Sequence, residues 1–222
     1  MSELLQTVEV ETGANPSRSV VWLHGLGADG HDFEALVPML ELGDLPPVRF
    51  VFPHAPVRPV TVNGGIEMRA WYDIVSFDRS GAVDEAGIRE SERQVCALIA
   101  REIERGSSAG SIVVAGFSQG GAIATHTGLR YPAGLAGIMS LSAYMPLRDK
   151  TLAERHEANA RTPVFLGHGK MDPVLPEALG VSARDLLTSA GYSVEWRSYP
   201  MAHAVCPEEV ADISTWLRSV LK

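Results

Sequence analysis

Residues 112–129 read IVVAGFSQGGAIATHTGL, and the fold turns on what happens at their centre. Ile112 to Ala115 form a short apolar run, the pattern of a strand covered on both faces. Ala122, Ile123 and Leu129 fall instead on a helical pattern. Between them Gly116-Phe117-Ser118-Gln119-Gly120 fits G-x-S-x-G. In a nucleophile elbow the serine takes a strained backbone angle at a sharp strand-to-helix turn. Its neighbours must be small because helix and strand approach closely there. A bare pentapeptide of this kind also arises by chance in Gly-rich turns. The strand before it and the helix after it supply the context the elbow needs.

The same alternation extends along the chain. SVVWLH (19–24), VRFVFP (48–53), SIVVAG (111–116), LAGIMSLS (135–142), TPVFLGH (162–168) and YSVEWRSYP (192–200) read as strands. TVEVET (7–12) alternates polar and apolar residues and suits an extra edge strand. Helices are expected over 84–105, 119–131, 177–190 and 207–220. In the first, Ile88, Val95, Ile99 and Ile103 are assigned to one face, with charges on the other. The last opens on Pro207-Glu208-Glu209, a proline-led acidic start. Strands alternating with helices imply an α/β fold, a mostly parallel sheet with helices on both faces. Sites in such sheets form at the carboxyl ends of the strands, where Ser118 sits.

Bulk properties narrow the function classes. The 222 residues suit one domain, 1–222, and are enough to bury a sizeable core. Hydrophobic content of 45% and charged content of 21% are those of a globular protein rather than a disordered one. A net charge of −8 disfavours nucleic acid and anionic membrane surfaces as partners. The start MSELLQTVEVETG has no basic region followed by an apolar run, so no signal peptide is expected. No apolar run approaches the ~18 residues needed to cross a bilayer. Cys96 and Cys206 make neither a disulfide framework nor a metal-ligand spacing. They read as reduced thiols of a cytoplasmic protein.

A serine hydroxyl needs a base within hydrogen-bond reach, and the base needs an acid to orient it. Around an elbow the expected chain order is serine, acid, histidine. Of the seven histidines, His156, His168 and His203 follow Ser118 with enough intervening chain for another strand. His203 falls between the last strand and the last helix, at the sheet's carboxyl edge. His168 ends its strand among glycines, where a structural role is expected. His156 lies in a charged stretch, and His126, inside the helix after the elbow, reads as a satisfied core histidine. Asp172 leaves a strand end and precedes Pro173, whereas Asp149 sits in a polar loop and Asp185 on a solvent-facing helix. Ser118, Asp172 and His203 therefore stand in the required order, each just past a strand. The oxyanion donors expected are the N–H of Gln119 and, from the loop after an early strand, that of Leu26 in His24-Gly25-Leu26-Gly27. HGLGADG lacks both Lys-Ser/Thr and G-x-G-x-x-G, which argues against nucleotide binding.

With these residues in place, the chain resembles the carboxylesterase and acyl-protein thioesterase (phospholipase/carboxylesterase) family of α/β-hydrolases. VVWLHGLGADGHDF, RFVFPHAPVRPVTVNGGIEMRAWYDI, AGFSQGGAIATHTGL, GHGKMDPVLP and YPMAHAVCPEEVADISTWL carry it, in family order, from about residue 19 onward. Within the family it is similar to short bacterial carboxylesterases. The resemblance implies an α/β-hydrolase fold without a separate lid domain. It also implies a triad of Ser118, Asp172 and His203 with Leu26 and Gln119 as oxyanion amides, and neither metal nor organic cofactor. Ala202 stands where the family often has glycine, and Lys170-Met171 occupy variable positions. Residues 54–75 read as a long ordered loop anchored by Asp73. The resemblance turns its Met68, Trp71 and Tyr72 toward a substrate pocket, with Val174 and Leu175 as the opposite wall.

The function implied is a serine carboxylesterase acting on short- to medium-chain esters through an acyl-enzyme on Ser118. An acyl-protein or lysophospholipid substrate is the closer rival. A non-catalytic binding protein of this fold would have no reason to keep serine, acid, histidine and both oxyanion loops. Dienelactone-hydrolase-like enzymes carry cysteine at the nucleophile, and about 20 charge-rich residues after 142 leave little room for a lipase lid. The expected partner is a small ester or thioester. An apolar rim at the site would serve either substrate docking or a homodimer contact.

Overall fold

A computed structural model describes residues 4–76 and 83–222. Its main sheet has seven strands: β1 (Thr7–Glu11), β2 (Arg18–Leu23), β3 (Val48–Pro53), β6 (Ile112–Phe117), β7 (Gly137–Leu141), β8 (Val164–Gly169) and β9 (Val194–Tyr199). Across the sheet they run β1-β3-β2-β6-β7-β8-β9. Every neighbouring pair is parallel except β1 with β3. The alternating segment 7–12 is thus the antiparallel edge strand its pattern suggested. Helices α1 (Glu85–Glu104), α2 (Gln119–Arg130), α3 (Arg148–Glu154), α4 (Ala178–Ser189) and α5 (Pro207–Val220) make the connections and cover the faces.

The strand side chains divide the core by parity. Val20, Trp22, Phe50, Phe52 and Phe165 join Ile213, Trp216 and Leu217 of α5 on one face. Val21, Leu23, Val51 and Val114 join Ile88, Val95, Leu98 and Ile99 of α1 and Ile123 of α2 on the other. Successive strand residues point to opposite faces, so a sheet covered twice must be apolar at nearly every position.

Three expectations are corrected here. Residues 54–75 are not simply a loop: β4 (Val57–Val60) and β5 (Ile66–Arg69) pair as a small antiparallel hairpin. Gly64 and Gly65 adopt φ of 69° and 78° at its turn, which only glycine takes freely, and β-branched residues flank it. Asp149 lies in the first turn of α3 rather than in a loop, though it is exposed as expected. Ile103 is 38% exposed while Glu102 is wholly buried. At ~100° per residue, Glu102 lies close to the centre of the buried face made by Ile88, Ser91, Val95, Leu98 and Ile99, and Ile103 is well off it.

Candidate active site

The elbow is built by what glycine leaves out. Ser118, between β6 and α2, has φ 54° and ψ −120°, a conformation worth about 1–3 kcal/mol of strain in a non-glycine residue. A Cβ on Gly116 would come within 2.3 Å of the Gly120 backbone, and one on Gly120 within 2.3 Å of the Leu23 carbonyl. Both flanking glycines are therefore required by the close approach of β6, α2 and β2. The Ser118 N–H donates to the Leu141 carbonyl at 2.8 Å, which fixes the turn to the end of β7.

Asp172 and His203 arrive from the two neighbouring loops. The His203 Nε2 stands 2.9 Å from the Ser118 Oγ, and its Nδ1 stands 2.6 Å from the Asp172 Oδ2. An ionised Asp172 can only accept, which places the imidazole proton on Nδ1 and leaves Nε2 free to accept from the serine hydroxyl. The other oxygen, Oδ1, accepts the N–H groups of Val174 and Leu175, both at 2.8 Å. The carboxylate is buried, so these bonds replace lost hydration. Its loop is stitched to the histidine loop by Lys170 N–H to the Tyr199 carbonyl (2.8 Å) and Met171 N–H to the Met201 carbonyl (3.1 Å). The Phe117 ring lies 4.7 Å from the His203 ring and limits its swing.

The other candidate side chains lie outside this line. His168 Nε2 bonds the Leu175 carbonyl at 2.7 Å and lies 3.6 Å from Asp172 Oδ2, a structural role beneath the acid's turn. His126 is buried on α2 against Glu92 at 3.0 Å; burial, outweighing that carboxylate, depresses its pKa. His156 is half-buried and accepts the Ala158 N–H. Asp185 is exposed on α4.

Leu26 and Gln119, whose amides are expected to hold an oxyanion, line the same cavity as Ser118. The Gln119 N–H opens α2, where helix geometry provides no acceptor, and the Leu26 N–H lies in the loop after β2. Neither has a hydrogen-bond partner among the described residues. The loop is held from behind by groups whose part was not evident from the chain. His24 is buried, and loss of hydration pushes its pKa down to about 4, so the ring is neutral. Its Nε2 accepts the Ala55 N–H at 3.1 Å, which leaves Nδ1–H to donate to the Gly25 carbonyl at 2.7 Å. Trp71 Nε1–H donates to the His24 carbonyl at 2.9 Å, and the Gly27 N–H to Arg69 of the hairpin at 2.9 Å. The Gln119 side chain completes the clamp, accepting from Trp71 N–H and donating to the Tyr72 carbonyl, each at 2.8 Å.

Ser118 and His203 open into a cavity of about 310 Å³ whose wall includes Leu26, Ala28, Asp32, Ile74, Phe117, Tyr144, Val174 and Leu175. Val174 and Leu175 stand where they were expected. Met68, Trp71 and Tyr72 do not line it. Trp71 is fully buried because its N–H and indole N–H are drawn inward by Gln119 and His24. Tyr72 is buried with its hydroxyl on that of Tyr144, and the Met68 sulfur accepts from Asn63 within the hairpin segment. Asp73 does anchor the segment, accepting the Thr61 N–H at 2.7 Å and hydroxyl at 2.6 Å. Ile74, Tyr144 and Asp32 were missed as wall residues. Tyr144 follows the end of β7, so the carboxyl-edge rule could have found it.

The sequence profile of the phospholipase/carboxylesterase family matches residues 5–221. Acyl-protein thioesterase 1 of Neurospora crassa is 41% identical over 213 residues, covering 92% of this chain and 87% of that protein. The crystal structure of the carboxylesterase SOBER1 of Arabidopsis thaliana superposes with a TM-score of 0.87 at 31% identity, covering 92% of this chain and 99% of that one. Acyl-protein thioesterase 2 of Zea mays superposes with a TM-score of 0.83 at 29% identity, covering 98% and 99%.

Proposed function

Because the chain belongs to the phospholipase/carboxylesterase family of α/β-hydrolases and is a hydrolase, we propose that it is a serine carboxylesterase with Ser118 as nucleophile, His203 as base and Asp172 as orienting acid. The observation that carries the reading is the continuous line Ser118 Oγ, His203 Nε2, His203 Nδ1, Asp172 Oδ2, with steps of 2.9 and 2.6 Å. His203 takes the serine proton as Oγ bonds to the carbonyl carbon, and the C=O electron pair moves onto oxygen. The Leu26 and Gln119 N–H groups receive that charge. Collapse of the intermediate breaks the bond to the leaving group, which takes the proton from His203. Water, giving its proton to the same imidazole, then attacks the acyl-serine and releases the acid. Asp172 holds the tautomer and stabilises the imidazolium.

The mostly apolar cavity wall suits short- to medium-chain acyl esters. A second reading, acyl-protein thioesterase, is favoured by the similarity to acyl-protein thioesterase 1 of Neurospora crassa. The two readings share every step and differ in the leaving group. Hydrolysis of p-nitrophenyl esters from acetate to palmitate, beside S-acyl peptides and with the Ser118→Ala protein as control, separates them. A Ser118-dependent maximum at short to medium oxygen esters is expected. A preference for S-acyl peptides at equal chain length would replace the first reading by the second. Full activity in Ser118→Ala would sink both.

A further inference from the structure

One side chain in the Ser118 cavity takes no part in the chemistry above. Asp32 stands in a wall otherwise built from groups such as Leu26, Ile74, Phe117 and Leu175, and among the described residues is the only acidic or basic side chain lining it besides His203. Its own backbone is fixed, because the Asp32 N–H donates to the Asp29 carbonyl at 3.1 Å. Its carboxyl has no hydrogen-bond or ion-pair partner among the described residues. The neighbouring acids differ. Asp29 Oδ1 accepts the His31 N–H at 2.8 Å, and Glu34 pairs with His31 at 3.1 Å. Arg69 of the hairpin donates to the Ala55 carbonyl at 2.8 Å and does not line the cavity.

Asp32 is an exposed residue on the cavity wall. Its carboxyl has lost enough hydration to raise its pKa, with the charge of Asp29 adding to the effect. A carboxylate on such a wall is open to a cation or strong donor brought in from outside. The wall around it attracts alkyl groups. A quaternary ammonium or alkylammonium offers both, a positive charge within an apolar envelope.

We propose that Asp32 is a specificity-determining residue that selects substrates carrying a cationic group close to the scissile ester over neutral and anionic ones. This rests on the Ser118 cavity being the substrate site. It names the charge of the preferred substrate, which the triad alone does not.

The test uses pairs of esters equal in shape and unequal in charge. Choline butyrate against 3,3-dimethylbutyl butyrate places the charge on the leaving group. The p-nitrophenyl esters of 4-(trimethylammonio)butanoate and 5,5-dimethylhexanoate place it on the acyl group. The wild-type ratio of kcat/KM, cationic over neutral, is expected to fall about tenfold in Asp32→Asn for one of the two pairs. That pair tells which side of the ester faces Asp32. Asp185→Asn, which removes the same unit charge from exposed α4, should leave the ratio in place.

Titrating the same pairs into Ser118→Ala, with and without Asp32→Asn, reads the preference as binding without turnover. If no ester is hydrolysed but binding to Ser118→Ala still favours the cation through Asp32, the esterase reading falls and this one stands. Equal ratios with and without Asp32→Asn, for both pairs and both readouts, would overturn it.

Discussion

The two ends of the sheet treat buried charge in opposite ways. At the amino end, Glu102 of α1 is wholly buried yet crowded with partners. Arg49 and Arg105 lie at 3.0 Å, Arg101 at 3.1 Å and the Ser19 hydroxyl at 2.9 Å. At the carboxyl end, Glu209 in the first turn of α5 is also wholly buried, and neither of its oxygens has a partner among the described residues. Burial, assisted by Asp212, raises its pKa to about 8. The carboxyl end also holds Ser118 at positive φ, and Asp32 in the cavity without a partner among the described residues. At one end both oxygens of the buried carboxylate are met. The other carries strain and unmet polar groups, as expected where binding or chemistry competes with stability.

The largest effect that could break this division is on rate. Ser118→Ala should lower ester turnover by ~10⁵ or more, and Asp172→Asn by ~10⁴ because the imidazole then loses its tautomer. Neither should destabilise the fold, and Ser118→Ala relieves no packing contact. Denaturant midpoints measured beside kcat would show it; a large loss of stability in either variant would mean that the carboxyl end also holds the fold together. The amino end should answer in reverse. Arg49→Ala takes one guanidinium from Glu102 and from Glu11, and should cost about 3 kcal/mol of stability with kcat unchanged. A drop in kcat without a drop in stability would overturn the contrast.

How much of this was legible in the chain differs between the same two ends. The meeting of Ser118, Asp172 and His203 could be read because the role proposed for each restricts residue type, chain order and position just past a strand. Gly116 and Gly120 reported a backbone contact before any contact was seen. The amino-end network could not be read, because Arg49, Glu102 and Arg105 meet only through the pairing of β3 with β1 and β2 and the phase of α1. Choosing Ile103 over Glu102 as the buried residue shows why: hydrophobicity outranked helical phase in the reading, and phase decided in the fold. Trp71 misled for a related reason. Its size suggested a pocket wall, but its two N–H groups needed acceptors, and Gln119 and His24 supplied them from inside. Side-chain partners that come from distant strands leave no local pattern.

Glu209 gives the smallest and sharpest test of the comparison. Its carboxyl lies so close to β8 that a Cβ on Gly167 would come 2.1 Å from Oε1, so it has little room to turn toward water. In the unfolded chain the group ionises near 4.5, and in the fold near 8. Between those values the native state holds a proton that the unfolded state has released. Stability should therefore fall as pH rises from about 4.5 to about 8, and change little through this group beyond. Carried over that whole range the penalty is at most ~5 kcal/mol, and relaxation around the charge should leave roughly 2 kcal/mol. Glu209→Gln keeps the shape and cannot ionise, so it should unfold with the wild type at pH 4.5 and be the more stable protein at pH 8. Chemical denaturation of both at several pH values checks the sign. Parallel curves would mean that Glu209 is partnered after all, and that the carboxyl end meets its buried charge as fully as the amino end does.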